Sequence, residues 1–152
     1  MKRLMSALFF MAVSFCVLIP AMGQDLRSLK DKAEHAVKSR RPEWKIISKD
    51  EKDKEVVYNW NSTQDGVRLL IFEGASEQDA TQRMQFTIKM LPAGPGKKRS
   101  GLGDEAYSWI DERKRFAGIR FRKGNVYIDL VASSEELAED LAKDLSQFIK
   151  KK

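Results

Sequence analysis

The chain opens with apolar residues at nearly every position and never repeats that pattern. Met1-Lys2-Arg3 is a short basic start, Leu4 to Pro20 is an apolar run, and Ala21-Met22-Gly23 follows it. Basic, apolar and then small residues make the pattern of a secretory leader over 1–23, which predicts cleavage before Gln24. The run is at the short limit for a membrane span, and its abrupt switch to "QDLRSLKDK" favours a removed leader over an anchor. Cys16 lies inside the run behind the bulky Phe15, which does not suit a lipid-attachment site.

From Gln24 onward the apolar positions alternate between two periods. Asp25 is a candidate N-cap, and Leu26, Leu29, Ala33, Ala36 and Val37 then recur at helical spacing until Pro42. Trp44 to Ser48 predicts a first strand, Lys49 to Glu55 a charged connection, Val56 to Trp60 a second strand and Asn61 to Gly66 a turn. Val67 to Phe72 is a third strand, apolar on both faces and therefore expected to be central. Ser76 with Asp79 predicts a helix cap, and the helix that follows to Lys89 turns Ala80, Met84 and Ile88 inward. Leu91 to Gly103 is rich in glycine and proline and predicts a long loop.

The same syntax then returns. Asp104 to Ile110 predicts a strand, Phe116 to Lys123 and Asn125 to Ala132 a hairpin, and Ser133 with Glu136 a capping box. Leu137, Leu141, Leu145, Phe148 and Ile149 then form one stripe of a closing helix. With Gly124-Asn125 as a two-residue turn, Phe121 faces Ile128 and Ile119 faces Leu130 on one side of the ribbon. On the other side Arg120 faces Asp129 and Arg122 faces Tyr127, and a shift of one residue would spoil both faces. The expected fold is α+β: an antiparallel sheet with helices over its apolar face, in the order α-β-β-β-α-β-β-β-α. Aligning Val67 with Val126, Leu69 with Ile128 and Ile71 with Leu130 raises the expectation of an internal β-β-β-α duplication.

Composition narrows the chemistry. Loss of the leader removes the only cysteine, and takes 28 basic residues to 26 against 22 acidic ones, a net charge of +4. Residues 24–152 then read as one cysteine-free domain with no second run of spanning length, fitting a bacterial envelope protein that folds without cross-links. Such mild, mixed basicity does not by itself argue for nucleic acid. The single histidine, His35, cannot build a usual zinc site, so no metal or other cofactor is expected. "GPGKKRSG" fails as a phosphate loop, because Leu91 stands where the first glycine belongs and Lys98 where the hydroxyl belongs. "GLGDEAY" lacks the third glycine of a dinucleotide fingerprint and opens a strand, so it reads as a turn. Asp104 and Glu105, as neighbours on a strand, point to opposite faces and do not make an acid–base pair.

The basic residues of the hairpin carry the one sharper expectation. Arg120, Arg122 and Tyr127 on its polar face, with Lys97, Lys98 and Arg99 in the preceding loop, are the candidate contacts for an anionic partner. Arg113, Lys114, Arg115 and Lys123 lie close by in sequence, interleaved with Asp111 and Glu112.

The order "GLGDEAYSW", "GIRFRKGNVYIDLVAS" and then "LAKDLSQFI" resembles a group of exported bacterial domains of unknown function. Some of those domains resemble the sheet-and-helix sandwich of PsbP-like photosystem accessory proteins. The resemblance covers the last third of the chain, implies fold and compartment, and supplies no catalytic residues. The expectation is an exported, non-enzymatic binding or accessory domain, periplasmic or extracellular, with an anionic envelope component or a protein as partner. The alternative is a small carboxylate-dependent hydrolase or carbohydrate-active enzyme using Asp104 or Asp129.

Overall fold

A computed structural model describes residues 26–61, 65–90, 94–113 and 115–150. The stretch expected to be a leader, the candidate cap Asp25, most of the turn after Asn61, Leu91 and Lys114 lie outside the described residues. The elements are α1 (Leu26–Arg40), β1 (Lys45–Lys52), β2 (Glu55–Asn61), β3 (Gly66–Glu73), α2 (Glu77–Lys89), β4 (Lys97–Arg99), β5 (Glu105–Ile110), β6 (Ala117–Lys123), β7 (Val126–Ala132) and α3 (Glu135–Phe148). The seven strands form one antiparallel sheet in the order β1-β2-β3-β7-β6-β5-β4, with helices packed on it, so the fold is α+β.

Strand alternation sends two different sets of side chains to the two faces of this sheet. On the first face Val56, Tyr58, Trp60, Val67, Leu69, Ile71, Ile119, Phe121, Ile128 and Leu130 are buried. The stripes Leu29, Ala33, Ala36, Val37 of α1 and Leu137, Leu141, Leu145 of α3 complete that core. Arg40 ties the two helices together through Asp140 and Asp144, at 2.9 and 2.8 Å. The hairpin register is the expected one, with Arg120 opposite Asp129 and Arg122 opposite Tyr127.

The second face is not left to solvent. There α2 lies across it, and Ala80 and Met84 bury against Leu70 and Tyr127 in a second, smaller core. The helices therefore cover both faces rather than the one that the clean apolar pattern implied. The strand order of β1-β2-β3 mirrors that of β5-β6-β7 about the β3–β7 seam, as a duplication would. The helices break the repeat: α2 and α3 lie on opposite faces. The connection before α2, Gly74 to Ser76, is also one residue longer than the connection before α3, Ser133 to Ser134.

Three local expectations change. The charged stretch Lys49 to Lys52 is strand, and β1 turns into β2 through Asp53 and Lys54. Every residue of β1 is exposed, so no apolar alternation marks it, and its charges discourage pairing with another chain at this edge. Within the expected long loop, Lys97–Arg99 forms the opposite edge strand. The N-cap of α3 is Ser134, whose hydroxyl accepts from the Leu137 amide, and not Ser133. The Ser133 amide donates to the Gly66 carbonyl and so still belongs to the sheet.

Candidate functional site

The glycine-rich stretch before β5 proves to be a lock on the β6–β7 hairpin. Leu102 inserts into the first core, and the Asp104 amide donates to the Arg122 carbonyl at 2.8 Å. The Asp104 carboxylate in turn accepts from the Gly124 amide at 2.8 Å and from Arg122 Nη1 at 3.3 Å. Gly103, at φ +132°, lies so close to the Arg122 carbonyl that a Cβ would sit 2.5 Å from its oxygen. From the other side the Asn125 side chain donates to the Gly74 carbonyl, and the Gly74 amide to the Asn125 carbonyl. The hairpin tip is thus held from two directions.

Cross-strand pairing arranges the second face in three rows. One contains Asn59, Arg68, Val131, Gly118 and Trp109; the next Val57, Leu70, Asp129, Arg120 and Tyr107; the third Glu55, Phe72, Tyr127, Arg122 and Glu105. The second core under α2 draws on the last two rows, through Val57, Leu70, Phe72, Tyr107 and Tyr127. Three residues of the first row, Asn59, Arg68 and Val131, line an open groove of about 880 Å³, while Gly118 and Trp109 lie outside it. Ile47 and Ser48 of β1, Asn59, Asn61, Asp65, Arg68, Arg115 and Phe116 are among its lining residues.

Between groove and helix sits a charged cluster. Arg120 is 1% exposed, and its Nε lies 3.4 Å from Asp129 Oδ1. Arg68, which lines the groove, places Nη1 3.8 Å from Asp129 Oδ2. The Arg120 guanidinium also lies 6.0 Å from the ring centre of Trp109, whose indole lies across Gly118. Burial pushes the Asp129 carboxyl above its ordinary value, with Arg120 and Arg68 pulling in the opposite direction. Burial, reinforced by the Asp129 charge, likewise raises the Tyr127 phenol.

The six candidate contacts do not form one surface. Arg120 and Tyr127 are buried, because the polar hairpin face that looked solvent-facing is the face on which α2 packs. Arg122 is occupied at the hairpin tip, bonding Asp104 and the Gly124 carbonyl. Lys97 and Lys98 stay exposed on β4, while Arg99 turns to α3 and pairs with Glu139. Arg68 was missed: its strand reads as a core strand, and only the sheet order brings it beside Asp129. Arg115 stood among the nearby basic residues, yet nothing in its spacing places it across a groove from β1. Cleavage by paired carboxylates needs two acids converging on one cleft. Asp65 lines the groove, whereas Asp104 is engaged at the hairpin tip and Asp129 with Arg120.

Fold and site together define an α+β domain with helices packed on both faces of its sheet, two on one face and one on the other. No protein family, curated protein or solved structure matches the chain.

Proposed function

We propose that the chain is an exported, non-enzymatic binding domain of the bacterial cell envelope, and that the groove on the second sheet face is where it holds its partner. The observation that carries this reading is the chemistry of the groove. Arg68 and Arg115 bring guanidinium donors to the groove, and Asn59 and Asn61 bring amides that both donate and accept. Among the described residues Asp65 is the one carboxylate in the lining, so the groove offers groups that hold and orient a ligand and lacks the second acid that paired-carboxylate cleavage needs. Ile47 and Phe116, both exposed, add apolar surface to the same groove. The leader pattern and the resemblance to exported bacterial domains of unknown function support the compartment. The PsbP-like sandwich remains the architecture that the resemblance suggests.

Fractionation of the source cells followed by native and denaturing mass spectrometry tests the proposal. The expected result is a chain beginning at Gln24, found in the envelope or medium, with added mass that denaturation removes. A full-length chain in the cytosol would overturn export. A mature chain with no added mass from gentle preparations would count against a tightly held ligand.

A further inference from the structure

The outward side of α2 carries apolar residues where a surface helix ordinarily presents polar ones. Ala80, Met84 and Ile88 recur every four residues and pack on the sheet. Phe86 and Met90 each stand two residues on from this stripe, about 200° around the helix, and so point away from the sheet. They are 59% and 69% exposed. Lys89, also exposed, lies between them on the same turn. Among the described residues, α1 and α3 expose no large apolar side chain. One exposed apolar residue is ordinary, but two on one turn beside a cation make a patch.

Charge around this patch has one sign. No acidic residue occurs between Asp79 and Asp104, whereas Arg83, Lys89, Lys97, Lys98 and Arg99 all do. Glu55 occupies Arg83 and Glu139 occupies Arg99. Lys89, Lys97 and Lys98 are exposed and have no ion-pair partner among the described residues. Lys98 pairs across the ladder with Tyr107, which packs against the core under α2. Paired residues share a face, so Lys98 stands on the same side of the sheet as Phe86 and Met90. Carboxylates on this side are engaged elsewhere. Glu105 accepts from the Tyr107 hydroxyl at 2.9 Å, Asp129 faces Arg120, and Glu77 lies at the other end of α2, 3.9 Å from Arg122.

We propose that the C-terminal half of α2 and the β4 edge form a docking surface for an anionic lipid bilayer. Phe86 and Met90 enter the boundary between headgroups and acyl chains. Lys89 and Lys98 lay their apolar stems along it and hold their ammonium groups at the phosphates. Lysine decides between a lipid and a protein partner. It is depleted where proteins bury against proteins, and it is common on helices that lie on anionic membranes. This surface does not depend on the groove, whose lining includes no described residue of α2 or β4.

Flotation with vesicles tests the proposal, using phosphatidylcholine alone and an equal mixture of phosphatidylcholine and phosphatidylglycerol. The protein should float with the anionic vesicles and not with the neutral ones, and added salt should release it. Lys89→Gln and Lys98→Gln should each weaken binding about 5-fold, the scale of one cation near an anionic surface. Lys38→Gln, an equal change at an exposed position of α1 on the other face, should alter binding little. Phe86→Ser combined with Met90→Ser should weaken it about 10-fold. Phe86→Trp should add an indole that brominated acyl chains quench. All these positions are exposed, and circular dichroism checks the fold of each variant. Failure to float with anionic vesicles, an equal loss from Lys38→Gln, or binding that survives without Phe86 and Met90 would overturn the surface. A lipid-free dimer that Phe86→Ser disperses would assign the patch to a second copy and overturn it too. If vesicles fail but native mass spectrometry shows a retained ligand, this inference falls and the groove reading stands. The opposite pair of results keeps the lipid surface and removes the tightly held ligand.

Discussion

At the scale of single residues, the second face depends on close approaches that tolerate little change. Gly118 stands opposite Trp109 across the β5–β6 ladder, and a Cβ there would meet the indole at 2.2 Å. Glycine leaves the room in which the aromatic ring covers the sheet, a device that also shields a backbone with no side chain of its own. Gly118→Ala must therefore displace the ring, with an expected cost of about 1–3 kcal/mol. Chemical denaturation monitored by tryptophan emission checks this, and an unchanged midpoint would show that the indole has another resting place. Asp104 makes a similar point about motifs. Its carboxylate bonds the hairpin tip at 2.8 Å, so the stretch that most looks like a ligand loop is structural. Nothing in the local sequence separates those two uses, because both ask for glycine angles beside a carboxylate.

Among the elements, the helix caps show what a shift of one residue does. Ser76 accepts from the Asp79 amide as its spacing predicts, and the Asp79 side chain accepts from the Ala75 amide at 3.0 Å. At α3 two serines in succession offer the same cap, and the sheet decides between them by engaging the Ser133 amide. Ser134→Ala should cost about 1 kcal/mol, whereas Ser133→Ala should cost distinctly less. Thermal unfolding of the two variants side by side checks the order, and equal losses would contradict the assigned cap. The smaller core under α2 follows the same logic of position. Ala80 and Met84 were legible as an inward stripe, but the stripe does not say which face of which sheet receives it.

For the whole molecule, the two-sided burial has a consequence at high pH. All three tyrosines lie above the ordinary phenol value: Tyr58 and Tyr127 mainly through burial, and Tyr107 mainly through its bond to Glu105 at 2.9 Å. A raised pKa in the folded state means that folding favours the neutral phenol. That contribution is complete below the unfolded value of about 10 and is lost as pH rises from there toward the folded values. Stability should therefore fall on the alkaline side from about pH 10. Phenolate absorbance of the folded protein should lag behind that of the protein in denaturant over the same range. Coincident titration curves would mean that the rings are not buried as described.

Features carried by local period and local chemistry could be read from the chain before it folds. The α1 and α3 stripes, the alternation in β2, the Gly124-Asn125 turn and the hairpin register were all legible, because each is set by neighbours within a few residues. The expectation of export also rests on local pattern alone. Which surfaces meet is settled only once the chain has folded. Edge strands carry no apolar alternation, so β1 was read short and β4 not at all. A polar row on a hairpin reads as solvent-facing until a helix from elsewhere in the chain lies over it. That is how Arg120 and Tyr127 pass from expected surface to interior. Arg68 and Asp129, far apart in the chain, become neighbours only because β3 pairs with β7. Long-range strand pairing depends on the whole core closing at once, and no short stretch of sequence contains that information.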